Sequence, residues 1–169
     1  TPSPDAEDGE TRYRLHRRFD RMGRLVGDHQ MERLFASHVV VIGLGGVGSF
    51  AAESLLRSGI GRLTLVDFDR VCVTNTNRQL QAMRGTVGKL KAQVLADRLR
   101  LVNPQAEIEV VSRFYDAATS ELILTQTPTP DFVIDAIDNI TAKCHLIATC
   151  KQKRLPLVSS MGAAGPCFC

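Results

Sequence analysis

The chain alternates short apolar runs with longer stretches in which apolar residues return every three or four positions. The runs Val39–Ile42, Leu63–Val66, Ile108–Val111, Phe132–Asp135 and Leu157–Ser160 read as strands, and the β-branched, glycine-bounded Val39–Ile42 carries the mark of one buried on both faces. Between them the helical period predicts Ser49–Ser58, with Phe50, Leu55 and Leu56 inward, and Val87–Leu101, with Leu90, Val94, Leu95 and Leu99 as its stripe. Asp116 is read as the N-cap of a helix running through Leu124. Thr141–Lys151 follows, with Ile140, Cys144 and Ile147 on one face. Ahead of the first strand, Arg14–Arg24 reads as a short amphipathic segment and His29–Ala36 as a helix with Met31, Leu34 and Phe35 inward. Strand–helix alternation of this kind predicts an α/β fold, Rossmann-like and doubly wound, with a mostly parallel sheet and helices on both faces.

The stretch Val39–Asp69 organises the rest. A strand runs into Gly43-x-Gly45-Gly46-x-Gly48, then a helix, a second strand and Asp67 at its carboxyl end. Residues without Cβ atoms let phosphate oxygens approach backbone N–H groups, and the helix behind adds partial positive charge. Asp67, about 20 residues beyond the glycines, suits a ribose hydroxyl. Tight strand–helix packing alone would also ask for glycine, but not for the acid. The order of all five features predicts a nucleotide site and leaves the nucleotide open.

Composition narrows the class. The 169 residues, 44% hydrophobic and 23% charged, fit one globular domain, with residues 1–13 as a disordered acidic tail and 14–169 as the folded unit. No apolar run approaches membrane-spanning length and the amino end has no hydrophobic segment, so no membrane partner and no leader are expected, and a cytoplasmic site is. The net charge of +3 is mild, yet Arg12, Arg14, Arg17, Arg18, Arg21 and Arg24 crowd together, opposed only by Asp20; a solvated face and a phosphate-contacting arm both fit. Cys72, Cys144 and Cys150 read as reduced thiols, two of them in the core, and Cys167-x-Cys169 is weak as a metal motif.

Asp67, Asp69, Asp135 and Asp138 all fall at strand carboxyl ends, where such sheets bind ligands. A nicotinamide site needs one acid, not four. Surplus carboxylates suit a magnesium–nucleotide complex, with Arg78, Lys89 and Lys91 facing the phosphates. The Walker pattern is absent, which favours cleavage at the α-phosphate. One of Asp135 and Asp138 is also expected to cap the helix that follows. The long polar connection Phe68–Thr86, carrying Asn75, Asn77, Arg78 and Gln79, is of the length that is usually functional.

The pieces GLGGVGS, GIGRLTLVDFDRV, TNTNRQ, VGKLKA, NP and DAIDN resemble the ubiquitin-activating-enzyme-like adenylyltransferases over roughly residues 17–165. Within them, VCVTNTNRQ and PLVSSMGAAG are most similar to the branch that uses ATP to dehydrate threonylcarbamoyladenosine beside the tRNA anticodon. The resemblance implies an ATP-binding adenylation domain. Gly46 would line the nucleotide, with Gly43, Gly45 and Gly48 of the glycine turn already read as cradling it, Asp67 would hold the ribose, and Arg78 and Lys91 would contact the triphosphate. It implies Asp138 as Mg²⁺ ligand and Asn75 and Asn139 orienting phosphates and metal, with Asp69 and Lys89 beside them at the nucleotide. Arg21, in the RFDR piece, would act across a homodimer. The alternatives it leaves are activation of a ubiquitin-like sulfur carrier, making a sulfur-transfer protein the partner, and a non-catalytic nucleotide-binding module. The family continues beyond SSMGAAG with a substrate-facing half, whereas these residues stop at Cys169, so nucleotide binding without turnover is the expectation for the chain as it stands.

Overall fold

In the computed structural model the described residues are 17–125 and 128–161. The predicted tail and the Cys167/Cys169 pair therefore lie outside the described residues, as do Arg12 and Arg14. A 3₁₀ turn at Arg17–Phe19 leads into α1 (Asp20–Val26) and α2 (Asp28–Ala36), then β1 (His38–Ile42), α3 (Gly48–Ser58) and β2 (Arg62–Val66). After the long connection come α4 (Lys91–Val102), β3 (Glu107–Val111), α5 (Ser120–Leu124), β4 (Phe132–Asp135), α6 (Ile140–Lys153) and β5 (Leu157–Ser159). The strands form one sheet in the order β3-β2-β1-β4-β5. Every pairing is parallel, for example Val40 with Thr64 on one side and with Val133 on the other.

Alternation along β1 sorts the core into two layers. Val39 and Val41 pack with Leu63, Leu65, Ala52 and Leu56 of α3, and Leu95 and Leu99 of α4. Val40 and Ile42 face the other way, onto Val66, Val133, Ile123 and Leu124 of α5, and Leu146 and Cys150 of α6. All five residues of β1 are buried, as a central strand covered on both faces requires. Burying each such side chain is worth about 1.5–3 kcal/mol, so this strand anchors the sheet. The predicted two-faced parallel sheet is what forms.

Local expectations needed correction. Phe50 is exposed, because α3 turns Ala52 and Leu56 inward instead. Asp116 does not cap the following helix: it accepts from Thr119 N in a tight turn, and α5 begins at Ser120 with Thr119 at its N-cap. On α6 the expected face is the outer one: Ile140 and Cys144 are exposed, and Ala142, Leu146 and Cys150 go inward. Among the described cysteines only Cys150 is in the core, while Cys72 is exposed. The predicted helix from Val87 starts four residues later, at Lys91. Gly88, with φ of +85°, ends a turn there, and Arg70 and Leu90 form an antiparallel bridge.

Helices α1 and α2 sit beside the amino ends of the strands. Gly61 N donates to the Leu34 carbonyl and Arg62 N to that of Ser37, while Arg18 reaches Asn103 and Phe19 packs edge-on against Phe35.

Candidate nucleotide site

The turn after β1 can close only with glycine. Gly43 has φ of +88°, and a Cβ there would lie 2.6 Å from the Ala136 carbonyl oxygen. A Cβ on Gly48 would lie 1.8 Å from the Gly43 carbonyl oxygen. The chain thus folds back on itself and starts α3 at the strand ends, at the switch point between β1 and β4 where the chain departs to either side. A cavity of about 280 Å³ opens there, bordered by residues 43–47, by Asp67, Phe68 and Asp69 after β2, and by Ala136, Ile137 and Asp138 after β4.

Asp67 is 9% exposed. Its two oxygens accept from Leu44 N at 2.7 Å and Asp69 N at 2.8 Å, so it ties the glycine turn to the end of β2. Burial pushes its carboxyl up from the ordinary value, and those two N–H groups together with the Lys91 cation draw it back. A carboxylate has about four lone-pair sites, so two such bonds leave room for a hydroxyl.

Lys91 arrives through a short clip. Val71 N donates to the Lys89 carbonyl, Gly88 N to that of Val71, and Lys91 N to that of Asp69. The clip sets Lys91, first residue of α4, with Nζ 2.8 Å from Asp69 Oδ2 on the cavity wall. Its side chain is 8% exposed and Asp69's is 47%, so the ammonium is held from beneath with its partner open to solvent. Lys89, expected to face the phosphates, does not border the cavity.

Arg78 follows the 3₁₀ turn Val73–Asn75, in the turn that continues it. The Asn75 carboxamide oxygen accepts from Cys72 N, and the Asn75 carbonyl accepts from Arg78 N and Gln79 N. Arg78 packs against Gly46, where a Cβ would be 3.3 Å from the Arg78 carbonyl oxygen, and its Nη1 donates to the Thr74 carbonyl and Asn77 Oδ1. Asn75 itself is buried, building the turn rather than lining the cavity.

Of the residues assigned by resemblance, Gly43, Gly45, Gly46, Asp67, Asp69, Arg78, Lys91 and Asp138 border the one cavity. Gly48, Asn75 and Asn139 stand behind it, and Arg21 lies on α1, away from it. The N-cap expected of Asp135 or Asp138 is Asn139, whose Oδ1 accepts from Ala142 N at 3.0 Å. Asp135 is fully buried and paired with Lys143 at 2.6 Å, so it is a buried ion-pair member and no surface acid.

Several residues at the cavity escaped the sequence reading. Arg113, Phe114 and Tyr115 follow β3 and close one end. Phe114 meets Phe68 edge-on, ring centroids 5.1 Å apart. Tyr115 is buried, its hydroxyl pushed up to about 12 mainly by that burial, and lies 3.3 Å from His145 Nδ1. The usable signal was position, since all three sit at a strand's carboxyl end as Asp67 does. Gln81, fully buried, donates from Nε2 to the Leu44 carbonyl at 2.7 Å, clamping the glycine turn from the side opposite Asp67. Nothing in its local pattern marked it.

Chemically, the cavity sets three cations, Arg78, Lys91 and Arg113, and a helix N-terminus against carboxylates at its margins, with the Phe68–Phe114 aromatic pair on its wall. That arrangement suits a polyanion with a flat base. Among the described residues no cluster of three or more His, Cys, Asp or Glu side chains could hold a metal ion by itself. Asp138 offers one hard carboxylate beside the cavity, and Mg²⁺ commonly takes one or two carboxylates plus substrate phosphates. The donor set fits that ion in that manner.

Fold and cavity together define a doubly wound nucleotide-binding protein of the kind that holds phosphates on a glycine turn. The ThiF family pattern matches residues 19–169, and the chain belongs to the ThiF family. It is 46% identical over 148 residues to the tRNA threonylcarbamoyladenosine dehydratase of Haemophilus influenzae, covering 88% of this chain and 56% of that protein. It is 46% identical over 150 residues to the Bacillus subtilis protein of the same name, covering 89% and 58%. The crystal structure of E. coli tRNA N6-threonylcarbamoyladenosine dehydratase, TcdA, in complex with ATP superposes with a TM-score of 0.84 at 44% identity, covering 88% of this chain and 60% of that one. The chain thus spans a little over half the length of the relatives it matches.

Proposed function

We propose that the chain is the ATP-binding part of an ATP-dependent tRNA threonylcarbamoyladenosine dehydratase, which activates the threonyl carboxylate as an acyl-adenylate so that it cyclises. The observation that carries the reading is the cavity in which Asp67, Lys91, Arg78 and Asp138 converge around the glycine turn. The identity to named dehydratases supports the substrate. A tRNA substrate fits a cytoplasmic protein.

In this reading Asp67 accepts from the ribose, the Phe68–Phe114 pair flanks the base, and Lys91 and Arg78 face the phosphates. The substrate carboxylate attacks the α-phosphorus and pyrophosphate departs. Charge then builds on phosphate oxygens, and fixed cations stabilise it without a protein nucleophile. Asp69 holds the Lys91 ammonium in place, and Asp138 would hold Mg²⁺. When bound, the ion supplies further positive charge against the phosphates. Arg21 lies at the amino ends of the strands, opposite its own cavity, and serves a partner subunit's site in a homodimer.

The test is mass spectrometry of nucleosides from tRNA incubated with the complete protein and ATP. Conversion of threonylcarbamoyladenosine to its cyclic form, with AMP and pyrophosphate released, is expected. Unchanged nucleoside, with adenylation of a small carrier protein's C-terminus instead, would replace this reading by sulfur-carrier activation. The 38% identity over 133 residues to the E. coli molybdopterin-synthase adenylyltransferase keeps that outcome in view.

A further inference from the structure

Behind the cavity, away from the nucleotide-facing side chains, lies a buried charged cluster built from three elements. Asp135, the last residue of β4, is wholly inaccessible. Its Oδ2 accepts from Lys143 Nζ of α6 and from Ser159 Oγ of β5, each at 2.6 Å. Lys143 Nζ also donates to the Ser160 carbonyl at 3.0 Å. The other oxygen, Oδ1, accepts from Ile137 N at 3.0 Å and so shapes the turn that presents Asp138. Main-chain bonds extend the brace: Ala136 N to the Ile42 carbonyl and Ser160 N to that of Asp135.

Such a pair is costly. Taking two charges out of water is repaid only by good geometry and further hydrogen bonds, and well-packed apolar residues of similar size are often as stable or more so. Stability alone therefore gives weak reason for the cluster. Its geometry gives a stronger one, because three cavity walls meet at it: the end of β1, the Ala136–Asp138 turn and Ser160.

We infer that Asp135, Lys143 and Ser159 are positioning residues that fix the Asp138 carboxylate for the metal–phosphate end of the bound nucleotide. The inference rests on the proposed role of Asp138. Partners that orient a metal-binding carboxylate typically matter by about 10- to 100-fold in metal affinity.

The test measures ATP binding by calorimetry, with and without Mg²⁺, alongside thermal melting. Asp135→Leu/Lys143→Met removes both charges together, so neither is left buried without its partner, and releases the Ile137 tether. It is expected to melt near the wild-type temperature and to bind ATP alone normally. The tightening produced by Mg²⁺ should fall about 10- to 100-fold, and Asp138→Asn should lose it as well. Lys143→Arg, which keeps a cation beside Asp135, should retain most of that tightening. A folded double variant with wild-type Mg²⁺ tightening, beside an Asp138→Asn variant that has lost it, would overturn the inference and leave the site reading intact. If Asp138→Asn itself kept the tightening, the reading of Asp138 would fall and the inference with it. Should the double variant not fold, Ser159→Ala serves: it removes one partner of Asp135, and unchanged Mg²⁺ tightening there would equally overturn the inference.

Discussion

At the scale of single residues, the glycine turn is the least forgiving part of the molecule. Gly48 has no room for a methyl group, since the obstacle is the Gly43 carbonyl oxygen rather than a movable side chain. Gly48→Ala should cost about 3 kcal/mol or more of stability and abolish ATP binding, as read by denaturant unfolding and calorimetry. Gly45→Ala, where a Cβ meets nothing within 4 Å, is the control and should remain folded. A second residue-level effect lies at the other end of the sheet. His38 is buried, with Nδ1 3.0 Å from the Pro128 carbonyl and Nε2 2.9 Å from Thr64 Oγ1. A carbonyl only accepts, so Nδ1 carries the proton and neutral Nε2 accepts from the Thr64 hydroxyl. Desolvation lowers the His38 pKa, outweighing the opposing bond to Pro128 and the acids Glu109 and Asp131. The unfolded chain therefore binds this proton more readily. His38 contributes stability above about pH 6.5 that is lost as pH falls through its folded pKa, with a slope of at most about 1.4 kcal/mol per pH unit. Thermal melts between pH 7 and 5 should show the loss, and His38→Gln should flatten that part of the curve.

At the scale of elements, the start of α6 carries both structure and site. Asn139 caps the helix immediately after Asp138. Asn139→Ala should cost about 1 kcal/mol in chemical denaturation, and Asn139→Ser should recover most of it. If Asn139 acts on the nucleotide only through the cap, the serine variant also recovers ATP affinity. These elements differed in how far the sequence exposed them. β1 and β2 were legible because runs buried on both faces leave a continuous apolar signal, and Gly43 to Asp67 were legible because the turn tolerates so few residue types. The start of α4 was not. Val87 and Leu90 continue its helical period, but the Val71–Gly88 and Asp69–Lys91 backbone bonds hold the chain in a turn and a bridge up to Lys91. Nor was the role of Asp135: a carboxylate at a strand end reads as surface until Lys143, eight residues on, is seen to reach back to it. Phe50 misled because a glycine-started helix above a cavity turns part of its apolar face away from the sheet.

At the scale of the whole molecule, the sheet separates two functions by its two ends. The cavity occupies the carboxyl ends of β1, β2 and β4, while α1 and α2 pack at the amino ends with Arg21 exposed. In the proposed homodimer, Arg21 would serve the nucleotide site of another copy of the chain. In the complete protein, Arg21→Ala and Asp138→Asn should each lose tRNA cyclisation. Mixing the two should restore part of it, because a heterodimer holds one site with both residues intact. Inactive mixtures containing demonstrated heterodimers would exclude action across the dimer.

The account turns on what fills the cavity. The direct measurement is calorimetric titration of this chain with ATP and with NAD in the presence of Mg²⁺, repeated on Asp67→Ala and Lys91→Met. Binding of ATP in preference to NAD, weakened by both substitutions, is the predicted result. NAD binding tighter than ATP, or ATP binding indifferent to both substitutions, would contradict it.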